Sequence, residues 1–172
     1  MSTATSRRFE TSDDDRPTRP IVRSRDATRV LPLAGRILYS LIFVMAAPNH
    51  FSAVGIGYAA SNGVPMPNIL VPISGVLALA GGLSILLGYK AKLGAWLLVV
   101  FLVPVTLWMH RFWGAAGDPQ MVTMQMAQFS KNVALTGTAL YMAFFGAGPL
   151  SLDARIARRE ATEITRPSFA RS

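Results

Sequence analysis

The chain has no cysteine, which excludes a disulfide framework, a thiolate metal site and a cysteine nucleophile. Charge is almost missing from its middle. Residues 31–150 carry only Arg36, Lys90, Lys92, Arg111, Asp118 and Lys131, where a soluble domain of that length would carry about 30 charged side chains. A soluble enzyme is thereby excluded. Acid is scarcer still, since Asp118 is the one carboxylate in the stretch. Nucleotide-binding patterns are lacking too: Gly81-Gly82 and Gly88 have no preceding strand and no following acid, so they read as packing and turn glycines. Two histidines, His50 and His110, without cysteine and beside a single loop aspartate, make no metal set, and no metal site is expected.

What is present is apolar sequence on the scale of a bilayer. Three continuous runs cover about residues 33–51, 69–87 and 93–109, and a spanning helix needs ~17–25 residues. A fourth run is apolar only from Val133 to Phe145. Asp118-Pro119 reads as an N-cap followed by proline at the first helical position, which starts this helix early and predicts 119–145. Continuous rather than alternating apolar runs, in a solvent that forbids unpaired backbone, predict helices rather than strands. Gly/Asn/Pro-rich sequence from Asn49 to Asn68, the Gly88–Lys92 turn, Gly114–Asp118 and Gly146–Pro149 separate and stop them. The expected fold class is an all-α membrane protein. A four-transmembrane-helix antiparallel bundle occupies 31–150, with disordered cytoplasmic tails: a polar, Ser/Thr/Arg/Asp-rich segment 1–30 and a basic segment 151–172. The first run has some features of a signal peptide, but the long tail before it, Pro48 after it and three later runs favour a retained helix.

The basic excess of 17 Lys and Arg over 9 acids, net +8, is explained by topology. With four crossings, fifteen of the basic residues fall on the side of the tails and the Gly88–Leu93 turn, and only Arg111 and Lys131 fall opposite. By the positive-inside rule both termini are cytoplasmic and the protein sits in the cell (inner) membrane. Nucleic-acid binding is not expected, because no stacking aromatics accompany the tail arginines. Arg36, Lys90 and Lys92 read as membrane anchors, with Arg36 one turn inside the first helix and able to snorkel to the headgroups. Pro104 lies inside the third helix and deprives the Val100 carbonyl of its usual donor, which bends or shapes the bundle.

Residues suited to chemistry gather at the end opposite the tails. The first helix ends in Pro48-Asn49-His50-Phe51, and the third in Thr106 and Trp108-Met109-His110-Arg111-Phe112-Trp113. The fourth opens through Gln125, Gln128, Lys131 and Asn132. Gln125, Gln128, Asn132 and Thr136 lie within about 80° on a helical wheel, so they share one face expected to look inward. Ala139 extends that face with a small residue. Lys131 points away from it, toward the headgroups. His50 and His110 are the groups here that titrate near neutrality. They suit proton handling or a hydrogen bond to a quinone carbonyl; equally, His, Trp and Arg together form an ordinary interfacial belt.

The core from Ala34 to Asp153 resembles the DoxX family of small four-helix membrane proteins. The matching elements are Gly35-Arg36-Ile37-Leu38, Asn62-Gly63-Val64-Pro65, Gly75, Gly81-Gly82, Leu87-Gly88 and Lys90-Ala91-Lys92. They continue through Thr106, His110-Arg111-Phe112-Trp113, Gln125, Phe129 and Lys131-Asn132 to Gly148-Pro149-Leu150-Ser151-Leu152-Asp153. The resemblance implies association with quinone-linked oxidoreductase assemblies or with membrane complexes that handle oxidative or thiol stress. Two positions depart from the family pattern: Ala78 stands where a glutamate is common, and Asn49-His50 where a lysine is common. The missing acid weakens the case for proton-coupled quinol chemistry. The leading expectation is a small membrane subunit or adaptor of such a redox complex. In it His50 and His110 relay protons, Gln125, Gln128 and Asn132 hold a quinone, and Trp108 forms an apolar wall. The alternative is a non-catalytic scaffold or assembly factor with no cofactor. No motif decides whether the chain is an enzyme. Its expected partners are the lipid bilayer, redox-complex subunits, a quinone and a second copy of itself. Transport finds no support, as there is no inverted repeat and no buried charge pair.

Overall fold

A computed structural model describes residues 23–115 and 117–165, with side chains from Thr28 onward. The expected disorder of the N-terminal tail falls, for residues 1–22, outside the described residues. Those described are helical and turn structure with no strand. The elements are α1 (Arg23–Ala46), a 3-10 turn (Ala47–Phe51), α2 (Ala53–Ser61), α3 (Pro67–Leu87), α4 (Ala91–Met109), a short 3-10 turn (Phe112–Gly114), α5 (Pro119–Phe145) and α6 (Leu152–Thr165).

Three stretches are long and apolar enough to cross a membrane: Thr28–Phe51, Pro67–Leu87 and Ala91–Gly114, of mean hydropathy 1.9, 2.2 and 1.9. α3 is central. It packs on α1, on the turn that ends α1, on α2 and on α4, and α4 in turn carries α5. The contacts fix how α5 lies: Gln125, near its start, meets His110 at the end of α4, while Gly146, just past its end, sits against the Lys92 side chain at the start of α4.

Local chemistry sets the ends. Asp118 caps α5, its carboxylate accepting from the Gln120 and Met121 N–H groups at 3.0 and 3.1 Å, beside the proline at the first helical position. α3 ends in a left-handed Gly88 at φ 65°. There the Gly88 N–H donates to Ile85 O and the Tyr89 N–H to Ser84 O, the paired bonds of a Schellman stop. Small residues let the helices close: a side chain on Gly81 would press on the Gly94 carbonyl, and Ala78, Ala95 and Ala139 are buried. Tyr39, Phe43, Ile85, Leu98, Phe101 and Leu102 complete the core. Around it large apolar side chains face outward, among them Leu38, Val54 and Phe144, each at least 73% exposed. Water would not tolerate so continuous an apolar surface; hydrocarbon does.

Three helical segments differ from the sequence expectations, and so does the role of Arg36. The connection between the first two apolar runs contains α2, because Ser52 Oγ accepts from the Gly55 N–H and caps a helix that then packs on α3. The C-terminal segment is helical through Thr165 rather than disordered, since Ser151 caps α6 through the Ala154 N–H. Helix also begins at Arg23, inside the segment expected to be unstructured.

Arg36 does not behave as an anchor. It is 3% exposed and donates through Nη1 to the Ala147 carbonyl (2.9 Å) and through Nη2 to the Leu150 carbonyl (2.8 Å). Asp153 completes this latch. Its N–H donates to Gly88 O, and its carboxylate accepts from the Lys90 and Ala91 N–H groups at 2.8 and 3.0 Å. Arg36 turns inward because backbone carbonyls freed by the Gly146–Ser151 turns give its guanidinium better partners than a reach to the headgroups. Lys90 and Lys92 are exposed.

Candidate functional site

Toward the end of the molecule opposite the Arg36 latch, residues of α3 and α4 line a cavity of about 460 Å³. Its walls come from the α1 terminal turn, α2, the following loop, α3 and α4, and include His50, Tyr58, Ser74, Phe101, Trp108 and His110. Among the described residues no lysine, arginine, aspartate or glutamate lines it.

His50 is placed by its turn. Pro48 stands in the first turn of the 3-10 segment, and Gly75 on α3 receives His50: a Cβ on Gly75 would lie 2.6 Å from His50 Cβ. The imidazole packs edge-on against Phe101, centroids 5.5 Å apart, and its Nδ1 lies 2.9 Å from Ser74 Oγ. Ser74 in turn donates to the Val71 carbonyl at 2.7 Å. His110 ends α4, with Nδ1 3.0 Å from Gln125 Oε1. Trp108 donates from Nε1 to Gly63 O (3.0 Å) and Arg111 from Nη2 to Asn62 O (3.0 Å). These two bonds pull the 62–65 loop over the cavity, where Val64 and Pro65 line it.

His50, Trp108 and His110 therefore share one cavity, and Gln125 reaches it through His110. The rest of the expected cluster does not. Asn132 is buried, Gln128 half-buried and Lys131 exposed, and none of the three is among the cavity walls. They lie on α5, which packs on α4 rather than on α3. Gln125, Asn132 and Ala139 do form the buried face of α5. Ser74, Tyr58 and Phe101 were missed by sequence reasoning. Nothing marks a lone serine or tyrosine in an apolar chain, whereas Pro104, which also lines the cavity, was visible as a helix irregularity.

Apolar helices of spanning length and an apolar exterior define a helical transmembrane protein. Residues 31–111 match the family model described as DoxX. The chain is 34% identical over 131 residues to the inner membrane protein YphA of Escherichia coli, covering 75% of this chain and 92% of that protein. It belongs to the DoxX family. It is also 26% identical over 134 residues to the Surfeit locus protein 4 homolog of Schizosaccharomyces pombe, covering 78% of this chain but only 40% of that longer protein. No solved structure matches the chain.

Proposed function

We propose that the protein crosses the cell membrane four times with both termini cytoplasmic, and serves as a small membrane subunit or adaptor of a quinone-linked oxidoreductase or redox-stress complex. Its cavity in the outer leaflet holds the redox carrier. The fourth crossing is supported by the 27 residues of α5, about 40 Å at 1.5 Å per residue, which run beside α4 from His110 to Lys92 and close an antiparallel bundle. The orientation is supported by the distribution of basic residues, fifteen against two.

The observation that carries the functional reading is the cavity itself. It is large enough for a ring-sized head group, has no lysine, arginine, aspartate or glutamate among its described walls, and is furnished with two imidazoles and an indole from two separate stretches of chain, the turn after α1 and the end of α4. In this scheme His50 and His110 contact the head group, Trp108 walls it, and Gln125 acts as a positioning residue that fixes the His110 ring. Gln128, Asn132 and Lys131 are left without a contact to the ligand.

The test has two parts. Solvent extraction of gently purified protein should yield a quinone, and His50→Ala with His110→Ala should lower quinone-dependent turnover of native membranes severalfold. Unchanged turnover in the double variant refutes the catalytic form of the proposal. An extract free of quinone, from a sample without visible absorbance, favours the scaffold reading instead.

A further inference from the structure

We infer that the cavity selects an uncharged, membrane-dissolved molecule that donates hydroxyl hydrogen bonds, such as a hydroquinone or an isoprenoid alcohol, over the corresponding carbonyl compound. This rests on the cavity being a ligand site and specifies the chemistry of what it takes.

The hydrogen-bond inventory sets the polarity. A serine hydroxyl has one proton, and that of Ser74 goes to the Val71 carbonyl. The 2.9 Å contact between Ser74 Oγ and His50 Nδ1 is therefore made by a proton on Nδ1. In a neutral imidazole this leaves Nε2 as the acceptor, on a ring that lines the cavity. His110 follows the same logic: its Nδ1 faces an acceptor, Gln125 Oε1, so Nδ1 carries the proton and Nε2 accepts. Pro104 has no N–H to return to the Val100 carbonyl, and Val100 and Pro104 both line the cavity. A carbonyl head group would set acceptor against acceptor; a hydroxyl head group satisfies them.

The walls give the rest. With no lysine, arginine, aspartate or glutamate among its described walls, the cavity offers no fixed charge to a phosphate or an ammonium, whose desolvation would go uncompensated. Access is from the bilayer. α3 and α4 touch closely at Gly81 and Gly94; nearer the His50 end Leu70, Ile73 and Val100 line the cavity and remain 38, 50 and 56% exposed on the lipid-facing surface. A ligand with an apolar tail can slide between the helices with its head at the imidazoles and its tail still in lipid.

Four probes test this by anaerobic equilibrium binding to the full chain in lipid nanodiscs: a decyl-substituted benzohydroquinone, the matching benzoquinone, the dimethyl ether of the hydroquinone, and farnesol. The hydroquinone should bind at least about tenfold more tightly than the quinone and the ether, the worth of one or two hydrogen bonds at a desolvated site. Ser74→Ala releases the Nδ1 proton lock and should shrink that ratio below about threefold while binding persists. His50→Phe keeps a ring against Phe101 and should abolish the ratio. Variants are compared only where their thermal midpoints stay close to wild type, and either substitution alone suffices. Quinone binding as tight as hydroquinone binding overturns the inference and leaves the quinone-site reading standing. Farnesol binding with no quinoid binding sustains the inference and sinks the quinone reading. No binding of any of the four overturns both.

Discussion

Arg36→Met removes the guanidinium from the latch while keeping an unbranched side chain of similar reach. Two charge-assisted hydrogen bonds, to Ala147 O and Leu150 O, are lost, at roughly 1.5–3 kcal/mol each. Both carbonyls are left short of a donor. Part of the loss is offset because methionine, unlike arginine, brings no charge into a nearly water-free site, and a net destabilisation of about 2–4 kcal/mol follows. For a chain of this size, roughly 2–4 °C per kcal/mol converts that to a fall in Tm of about 4–16 °C. Thiol-reactive dyes cannot report the transition in a protein without cysteine, so the assay is the heated, detergent-solubilised protein read by size-exclusion chromatography. The segment 147–153 should also come loose, making Arg155 and Arg158 cleavable by trypsin at enzyme ratios that spare the wild type. Arg36→Lys, a point charge able to reach one carbonyl rather than two, should fall between. A Tm within about 2 °C of wild type for Arg36→Met, with trypsin sensitivity unchanged, would refute the latch.

Other substitutions read other parts of the structure. Asp153→Asn weakens the cap on α4 and should lower Tm by about 2–6 °C, the effect of ~1 kcal/mol or slightly more; an unchanged midpoint would mean the Lys90 and Ala91 N–H groups are equally well served by an amide. Gly75→Ala drives a methyl into His50 Cβ and should displace the 3-10 turn, costing about 1–3 kcal/mol and more ligand affinity than stability; wild-type binding would show that the turn can shift freely. Trp108→Phe deletes the bond to Gly63 O and should raise amide hydrogen exchange at residues 62–65 severalfold without altering that of the core of α3. Lys131→Gln, at an exposed position, should change stability by no more than about 0.5 kcal/mol.

Where the sequence could be read and where it could not follows from the range of the interactions. The start of α5 is written locally, in Asp118-Pro119 and two N–H groups within three residues, and the end of α3 is written in Gly88. α2 was invisible because Gly55 and Gly57 argue for a loop; the helix exists because Ser52 caps it and α3 supports it. α6 was hidden by its charge. The role of Arg36 depends on carbonyls 111 and 114 residues away, beyond any local pattern. At the cavity, topology alone brings His50, Trp108 and His110 to one end of the molecule. Which of the α5 residues join them depends on whether α5 packs on α3 or on α4, a choice its own periodicity does not encode. The Ser74–His50 pair likewise depends on the rotation of α3, which no local pattern sets.

Arg36 precedes its carbonyl partners by more than a hundred residues, and this orders the assembly of the protein in time. Until the ribosome has delivered the Gly146–Leu150 turn, the nascent first helix carries a cation with nothing to satisfy it, and the turn before α4 has no aspartate to seal it. The latch can close only after residues 147–153 have been made. A nascent chain halted before Ala147 would present an orphaned guanidinium to the bilayer, the kind of feature by which a membrane quality-control protease can tell an unfinished product from a finished one.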